Sequence, residues 1–351
     1  MSRPWTRRAA LAGLGGLGLG ALAWRRRALA AVEAARALPG ADPSIVQGMT
    51  ISCPTWGWEW GTDAMVSTLA ELKTLGVNWV AIHPYASIAD DGTVTTRALE
   101  GDVPPTWLER PIREAHGLGM KIMIKPHLAY WGSRFSWRGA IEFADPADRD
   151  RFWASYPRWI ERMAGMTADA DAFVVGTELD RLVADDAPWR QLIGAVRQRT
   201  AAHLTFASNW DAYAALPFWD ALDAVGVQAY FPVAPAGARV ADVDALVAGW
   251  TGALEGLRAI HLSTGKPVVF TELGYNDSSE AAAQPWATHQ GGPDAATVQA
   301  RCLEAALNTV GREPWIRGAF LWKWFPGDLQ TGDFRMSAPH TRDVIAAAWG
   351  R

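Results

Sequence analysis

The sequence predicts a (β/α)8 barrel, an α/β fold in which eight parallel strands alternate with helices. Short β-branched runs alternate with amphipathic helical segments from residue 46 to the end of the chain, which is typical of a parallel sheet covered by helices. The alternation occurs eight times, which indicates a closed barrel. The 351 residues suit one such barrel with added loops, because these barrels take about 250 residues or more.

The elements follow one another in a regular order. The predicted strands, one to eight, are QGMTISC, VNWVAIHPY, MKIMIKPHL, AFVVGTEL, HLTFASNW, DAVGVQAYFP, PVVFTELGY and IRGAFLWKWF. The helices that follow them are DAMVSTLAELKTLG, PPTWLERPIREAHGLG, ADRDRFWASYPRWIERMAG, APWRQLIGAVRQRTA, a short one near Tyr213–Leu222, DVDALVAGWTGALEGLRAIHLSTG, DAATVQARCLEAALNTVG and TRDVIAAAWG. Proline near the start and glycine at the end of the second helix are typical boundary residues.

The composition excludes several classes of protein. Hydrophobic residues make up 49% and charged residues 20%, which predicts a folded core. The net charge of -4 argues against a nucleic-acid partner, which would require a basic face.

The two cysteines, Cys53 and Cys302, make no disulfide framework, although a single disulfide between them remains possible. Without a Cys-x-x-Cys or His-x-x-x-His pattern, we expect no metal and no cofactor.

Residues 1–40, which we interpret as an export signal or membrane anchor, differ in composition from residues 41–351, which we interpret as the barrel domain. Residues 1–40 hold seven arginines and one acid, Glu33. Arg7 and Arg8 precede an apolar run of about 15 residues, the length of a signal-peptide core and short for a membrane span. The arginine pair resembles a twin-arginine export signal. We expect a periplasmic or secreted monomer, or a protein anchored to the cytoplasmic membrane, with membrane contact confined to residues 1–30.

Two predicted strands end in the same three residues. Strand four ends in Thr-Glu-Leu at Glu178, and strand seven does so at Glu272. The carboxyl ends of barrel strands meet at one face, so we expect both carboxylates in one mouth. Such a pair suits glycoside hydrolysis, in which one group protonates the leaving oxygen and the other attacks the anomeric carbon or activates water. The alternative is that each glutamate pairs with a cation or caps a helix.

Stretches around these glutamates resemble glycoside hydrolase family 113, the β-mannanase family in the clan of retaining (β/α)8 glycosidases. They span residues 47–326 and are LKTLGVNWVAI, GMKIMIKPH, SWRGAIEF, VGTEL, SNWDAY, FWDALDAVGVQAYFP, GKPVVFTELGY and GAFLWKWFPGD. The resemblance implies Glu178 as acid/base, Glu272 as nucleophile and a β-1,4-linked hexose polysaccharide or oligosaccharide, above all β-mannan, as substrate. Strand six departs from the family's Asp-Ala-Tyr, with Gln228 before Ala229 and Tyr230.

Other strand ends and loops supply further candidates for substrate binding. They are Lys125, His127, Asn209, Trp210, Tyr230, Trp322, Trp56 and Trp137. Lys125 and His127 share one side of strand three, where they suit contacts with sugar hydroxyls. Asn209 and Trp210 end strand five and suit the same contacts. Tyr230 ends strand six, where its hydroxyl can hydrogen-bond the carboxylate of Glu272; the alternative is a core tyrosine.

The tryptophans are candidates for sugar platforms, because flat aromatic faces suit the C–H faces of sugar rings. Trp322 and Trp324 alternate on strand eight, so one of them faces the barrel interior; Trp322 is favoured, with core packing as the alternative. Trp56, Trp58 and Trp60 are expected to cluster in the first loop, either for binding or as loop packing. Trp137 and Arg138 are expected to order the loop after strand three.

Two other functions remain open. In the first, the same pair of carboxylates acts on another β-linked glycan. In the second, which is of a different class, the chain is a catalytically silent glycan-binding or cell-envelope protein with the same barrel fold. Both glutamates are intact, which argues against the silent alternative.

Overall fold

The computed structural model describes Ala30 and residues 44–96, 99, 101, 103–238, 242–288, 291–327 and 333–350. Its strands are β1 (Val46–Ile51), β2 (Trp79–Ile82), β3 (Tyr85–Ile88), β4 (Val94–Thr95), β5 (Lys121–Ile124), β6 (His127–Ala129), β7 (Ala172–Thr177), β8 (His203–Asn209), β9 (Val225–Gln228), β10 (Val268–Leu273) and β11 (Ile316–Trp324). Eight of them close into a barrel in the order β1-β2-β5-β7-β8-β9-β10-β11, which confirms the predicted fold class. The predicted export segment falls almost entirely outside the described residues.

Helices follow the barrel strands and cover the outside of the barrel. They are α1 (Asp63–Thr74), α2 (Thr106–Gly117), α3 (Pro146–Met166), α4 (Asp186–Arg197), α5 (Val243–Gly249), α6 (Thr251–Thr264), α7 (Ala295–Val310) and α8 (Pro339–Trp349). In α4 the buried residues are Trp189, Leu192, Ile193 and Val196, one stripe at helical spacing. Such stripes and the outer faces of the strands form the main core. In the described part of the chain, no helix has both the length and the apolar character that crossing a membrane requires.

Three elements differ from the prediction. The segment near Tyr213–Leu222 forms two 3-10 turns instead of an α-helix, because Pro217 interrupts the backbone hydrogen bonding. The long helix expected over residues 242–265 divides into α5 and α6 at Trp250, whose side chain is completely buried. A small sheet in the order β4-β3-β6 lies outside the barrel. Its strands lie in the connections that follow β2 and β5, so the sheet forms part of the rim of the barrel.

A second, smaller core fills the barrel from within. Seven barrel strands contribute to it, through Val46, Trp79, Ala81, Met123, Val174, Ala207, Val269 and Phe320. Residues two positions apart on a strand share a face. The same inward rows therefore continue from these apolar side chains towards the carboxyl ends of the strands, where polar residues replace them.

Candidate active site

A cavity of about 810 Å³ opens at the carboxyl ends of the barrel strands. Both predicted carboxylates line it, together with five of the predicted binding residues, Trp137, Asn209, Trp210, Tyr230 and Trp322. Trp286, Tyr130, Arg138 and Lys323, which were not predicted as substrate contacts, complete much of its wall. The other three predicted binding residues, Lys125, His127 and Trp56, lie beneath or beside it.

The inward rows explain which side chains reach the cavity. On β5 and β11 the row passes from Met123 to Lys125 and from Phe320 to Trp322. On β10 the pairing register with β9 shifts between Phe270 and Glu272. This irregularity shifts the alternation of inward-facing and outward-facing residues along the strand. The inward-facing residues before it are odd-numbered, whereas after it Glu272 faces the mouth.

Glu272 is held from two sides and is almost fully buried, with 3% of its surface exposed. Tyr230 Oη donates a hydrogen bond of 2.6 Å to Oε2. Burial and the adjacent carboxylate raise the pKa of Tyr230 well above its usual value, so its hydroxyl keeps the proton that it donates. The Lys125 ammonium forms an ion pair with Oε1. These two donors fix the orientation of the carboxylate towards the cavity.

Glu178 directly follows β7 and is held by different partners. Arg138 Nε donates to Oε2 at 2.8 Å, and Arg138 Nη2 lies 2.5 Å from the same oxygen. Gln228 Nε2 donates to Oε1. The backbone of Glu178 has a φ of 55°, a left-handed conformation that is uncommon for a residue with a side chain. The strand end is therefore bent at the residue that carries the carboxylate.

Two glycines allow the close packing around Glu178. A Cβ at Gly176 would lie 2.5 Å from the Phe206 ring and 2.7 Å from the Trp189 ring, so glycine leaves room for both rings to pack against β7 at this point. A Cβ at Gly139 would lie 2.1 Å from the Trp137 ring, which covers the backbone of the 3-10 turn Arg138–Ala140. Glu178 lies in the sequence GTEL and Arg138 in the sequence WRG. The glycine of each sequence thus helps to position one partner of the Arg138–Glu178 ion pair.

Gln228 connects the two carboxylates. Its amide nitrogen donates to Glu178, and its Oε1 accepts a hydrogen bond of 3.2 Å from Lys125, which is also the ion-pair partner of Glu272. Both carboxylates, which the sequence places on separate strands, therefore belong to one hydrogen-bonded network in one cavity.

Lys125 and His127 occupy positions deeper than the sequence suggested. The Lys125 side chain is completely buried, and its ammonium contacts Glu272, where a contact with sugar hydroxyls was expected. Burial lowers its pKa, although the Glu272 carboxylate opposes the shift. The His127 ring packs against His83, at 4.9 Å, and against Trp322, at 6.0 Å, and these two rings also contact each other. Burial, followed by the charge of Arg138, holds the pKa of His127 well below its usual value, so this imidazole is neutral.

Aromatic rings line opposite sides of the cavity. Trp322 lines it and rests on the two histidines, whereas Trp324 is buried in the core. On the other side, Trp210 stacks against Trp286 with their ring centroids 5.3 Å apart and their planes at 16°. Trp137 is 42% exposed at the rim. All these rings offer flat apolar surfaces to a ligand in the cavity.

The three tryptophans of the first loop divide into two groups. Trp58 and Trp60 both pack against Trp107, and Trp60 is completely buried. Trp56 packs edge-on against Tyr85 and Trp131. The 3-10 turn Trp58–Gly61 directs the later two rings towards α2, and Trp60 is linked to Trp56 through the rings of His83 and Tyr85, so the expected cluster is spread over a larger aromatic network.

Asn209 is oriented by an acidic partner, Asp180, that no pattern in the sequence marks. Its Nδ2 donates to Asp180 Oδ2 at 2.6 Å. Burial raises the pKa of Asp180 to about 6, although the hydrogen bond from Asn209 opposes the shift. Because Asp180 lies two residues after Glu178, this pair joins the ends of β7 and β8 at the cavity.

Among the described residues, no group of three or more His, Cys, Asp or Glu side chains is placed to hold a metal ion. Cys53 and Cys302 are both buried and are free thiols, so the single bridge that the sequence left open is not formed. Burial raises the pKa of the Cys302 thiol to about 12. Neither cysteine is therefore a thiolate nucleophile near neutral pH.

The chain matches known proteins in family and in fold. The model of Glycoside Hydrolase Family 113 matches residues 49–333. A family 113 β-mannanase from Alicyclobacillus acidocaldarius, solved in complex with ManMIm, is 25% identical with a TM-score of 0.75, over 90% of this chain and 98% of that one. A family 113 β-1,4-mannanase is 21% identical with a TM-score of 0.75, over 87% of this chain and 98% of that one.

More distant structures share the fold alone. A β-glucuronidase from Ruminococcus gnavus is 13% identical with a TM-score of 0.59, over 87% of this chain and 50% of that one. No curated protein sequence matches the chain.

Proposed function

The chain belongs to glycoside hydrolase family 113 and is a glycoside hydrolase, and from this premise we propose that it cleaves β-1,4-linked mannan with retention of the anomeric configuration. One observation carries the proposal. Glu178 and Glu272 line one cavity and are joined through Gln228 and Lys125. Two carboxylates so placed can serve as the acid/base and the nucleophile of a double displacement.

The two steps assign a role to each carboxylate. In the first, an oxygen of Glu272 bonds to the anomeric carbon as the glycosidic C–O bond breaks, and Glu178 gives its proton to the leaving oxygen. In the second, Glu178 takes a proton from water, whose oxygen bonds to the anomeric carbon and releases Glu272. Each step inverts the anomeric carbon, so the β configuration is retained. Tyr230 and Lys125 hold the nucleophile, and Arg138 and Gln228 hold the acid/base.

Support for mannan comes from the family and from the cavity wall. The Alicyclobacillus acidocaldarius relative is a β-mannanase and shares 25% of its sequence with this chain. Trp322 and the stacked Trp210 and Trp286 suit the apolar faces of hexose rings on both sides of the glutamates. Action on another β-glycan would keep the same carboxylates and change the contacts around them, and a silent binding protein would bind glycan without cleaving it.

A reducing-sugar screen of the purified protein on mannan, xylan, cellulose and galactan tests the substrate. We expect release of reducing ends from mannan at the highest rate. A higher rate on one of the other three polysaccharides would reassign the substrate within the same mechanism. Mannan binding without release of reducing ends would favour the silent alternative.

Proton NMR of early products tests the stereochemistry. The proposed mechanism places the two carboxyl groups about 5–5.5 Å apart, whereas an inverting enzyme needs about 6.5–9.5 Å to admit a water. The first product signal from mannooligosaccharide cleavage should therefore be the β anomer, recorded before mutarotation. An α anomer formed first would show that Glu272 acts as a base and not as a nucleophile.

We also propose that residues 1–40 direct the protein to the cell envelope or beyond it, through the arginine pair and the apolar run that follows it. A reporter fused after residue 40 should cross the cytoplasmic membrane. Exchange of Arg7 and Arg8 for lysine should stop this transport. Transport that continues in the exchanged protein would contradict the twin-arginine route, and a reporter that stays in the cytoplasm would contradict export itself.

A further inference from the structure

An exposed aromatic surface lies beside the cavity. Trp131, in the turn after β6, is 58% exposed, although it is surrounded by other rings. Its ring centroid lies 5.2 Å from that of Tyr85, 6.1 Å from that of Tyr130 and 6.5 Å from that of Trp56. We call these four residues the aromatic shelf. The three supporting rings hold the indole in place while more than half of its surface faces solvent.

The aromatic shelf is continuous with the cavity. Tyr130 belongs to both, since it also lines the cavity. The Arg138 guanidinium lies 6.0 Å from the Tyr130 ring, and the same guanidinium pairs with Glu178. A ligand that extends past Glu178 along this wall would therefore pass from Arg138 over Tyr130 to Trp131.

The shelf and the Trp210–Trp286 stack lie on opposite sides of the two carboxylates. Around the barrel, β8 and β9 separate β7 from β10 on one side, and β5, β2, β1 and β11 separate them on the other. Trp210 follows β8, and Trp286 lies in the loop after β10, whereas the shelf residues come from the segments after β1, β2 and β5. A ligand on the shelf is thus an extension of the chain in the cavity and does not compete with Trp210.

The chemistry of the shelf favours sugar rings as its occupant. A contiguous patch of aromatic rings that is left in water is unfavourable unless a ligand covers it, and such patches mark binding sites, whereas a single exposed ring does not. The flat indole matches the C–H face of a hexose, and the rings behind Trp131 reduce the entropy that binding would otherwise cost. The continuity with the cavity indicates that these rings belong to the same chain that is cleaved.

We propose that the aromatic shelf is a distal subsite that binds further sugar units of the β-glycan whose scissile bond lies between Glu178 and Glu272. The proposal rests on the proposed function. It makes the enzyme selective for long chains, because short substrates that fill the cavity do not reach Trp131. It also favours cleavage inside a polysaccharide, since the bound chain continues beyond the cavity over the surface.

The experiment compares two substrates in matched variants. In the full-length protein, kcat/KM is measured for mannohexaose and for mannotriose, and the ratio of the two values is the readout. Trp131→Ala should lower this ratio about tenfold, and Trp131→Phe should restore part of it. Trp58→Ala is the control, because Trp58 is also about half exposed, at 49%, but packs on Trp107 of α2. It should leave the ratio unchanged.

The outcomes separate the shelf from the proposed function. An unchanged ratio in Trp131→Ala, with an unchanged melting temperature, would overturn the distal subsite while mannan cleavage stands. If the protein cleaves a different β-glycan, the same ratio is measured on oligosaccharides of that glycan. If it cleaves none, electrophoresis in gels that contain soluble mannan, xylan or β-glucan replaces the kinetic assay. Retardation that Trp131→Ala abolishes would support the shelf, and equal mobility of both proteins would refute it.

Discussion

Glu272→Gln should lower kcat on mannan by at least about 10⁴-fold, the scale on which loss of a covalent nucleophile abolishes turnover in other enzymes. The amide fills the same space in contact with Tyr230 and Lys125 but cannot form the glycosyl-enzyme. Initial rates of reducing-end release measure the effect. Glu304→Gln, the same exchange at an exposed position of α7, should retain full activity.

The same substitution affects the fold, and this effect must be measured separately. The completely buried Lys125 ammonium loses its ion-pair partner, and a buried charge without a partner destabilises a protein. We expect Glu272→Gln to melt at a lower temperature than the parent but to remain folded at the assay temperature by circular dichroism. A folded variant that keeps more than about one hundredth of the parent kcat would contradict the nucleophile role.

Glu178→Ala should reduce turnover in a way that depends on the leaving group. Loss of a general acid costs about 10²–10⁴-fold when the leaving oxygen needs a proton. For mannan and mannooligosaccharides we expect a loss of this size in kcat/KM. An aryl β-mannoside with an acidic phenol as its leaving group needs little protonation and should lose far less. A rate comparison across a series of aryl substrates measures the difference.

Azide provides the second measurement on Glu178→Ala. The alanine leaves room beside the anomeric carbon and removes the base that activates water in the second step. Azide needs no base, so it should restore turnover of the aryl substrate and yield the β-mannosyl azide. Equal losses for all leaving groups, together with no effect of azide, would contradict the acid/base role of Glu178.

Much of the site follows from where strands end. Glu178 and Glu272 are visible in the sequence because apolar runs stop at Thr-Glu-Leu, and the barrel brings such endings together. The position of Tyr230 follows from the same rule. Side chains alternate between the two faces of β11, so only one of Trp322 and Trp324 can serve as a sugar platform. The structure places Trp322 at the cavity and Trp324 in the core.

The partners of these residues could not be predicted in the same way. The direction of Lys125 follows from its position directly after β5, but its contact with Glu272 depends on a register shift in β10 that no local pattern reveals. Arg138 reaches Glu178 from a 3-10 turn whose path depends on tertiary packing. Trp286 lies in a loop that the sequence places on the active face, but a long loop does not show which of its rings turns inwards.

The three differences between the predicted and the observed fold arise where the spacing of apolar residues gives no warning of them. The run near Tyr213–Leu222 has helical composition, yet Pro217 limits it to 3-10 turns. The division between α5 and α6 has no strong local signal, since Trp250 fits the helical pattern and turns fully into the core. The sheet of β3, β4 and β6 consists of strands of four residues or fewer, which are too short for a clear alternation.

The left-handed backbone at Glu178 strains the fold at a position whose carboxylate the proposed reaction needs. Stability and turnover are therefore coupled at this position. A residue with a side chain costs about 1–2 kcal/mol in this conformation, whereas glycine adopts it freely and asparagine more readily than most. Glycine or asparagine at position 178 would relieve this strain but would also leave the largely buried Arg138 without the carboxylate that it pairs with, a loss that exceeds the gain in backbone energy. A selection for survival at high temperature would therefore enrich such a residue only together with a neutral side chain at position 138. Engineering for industrial durability has to score both properties together when this position is varied.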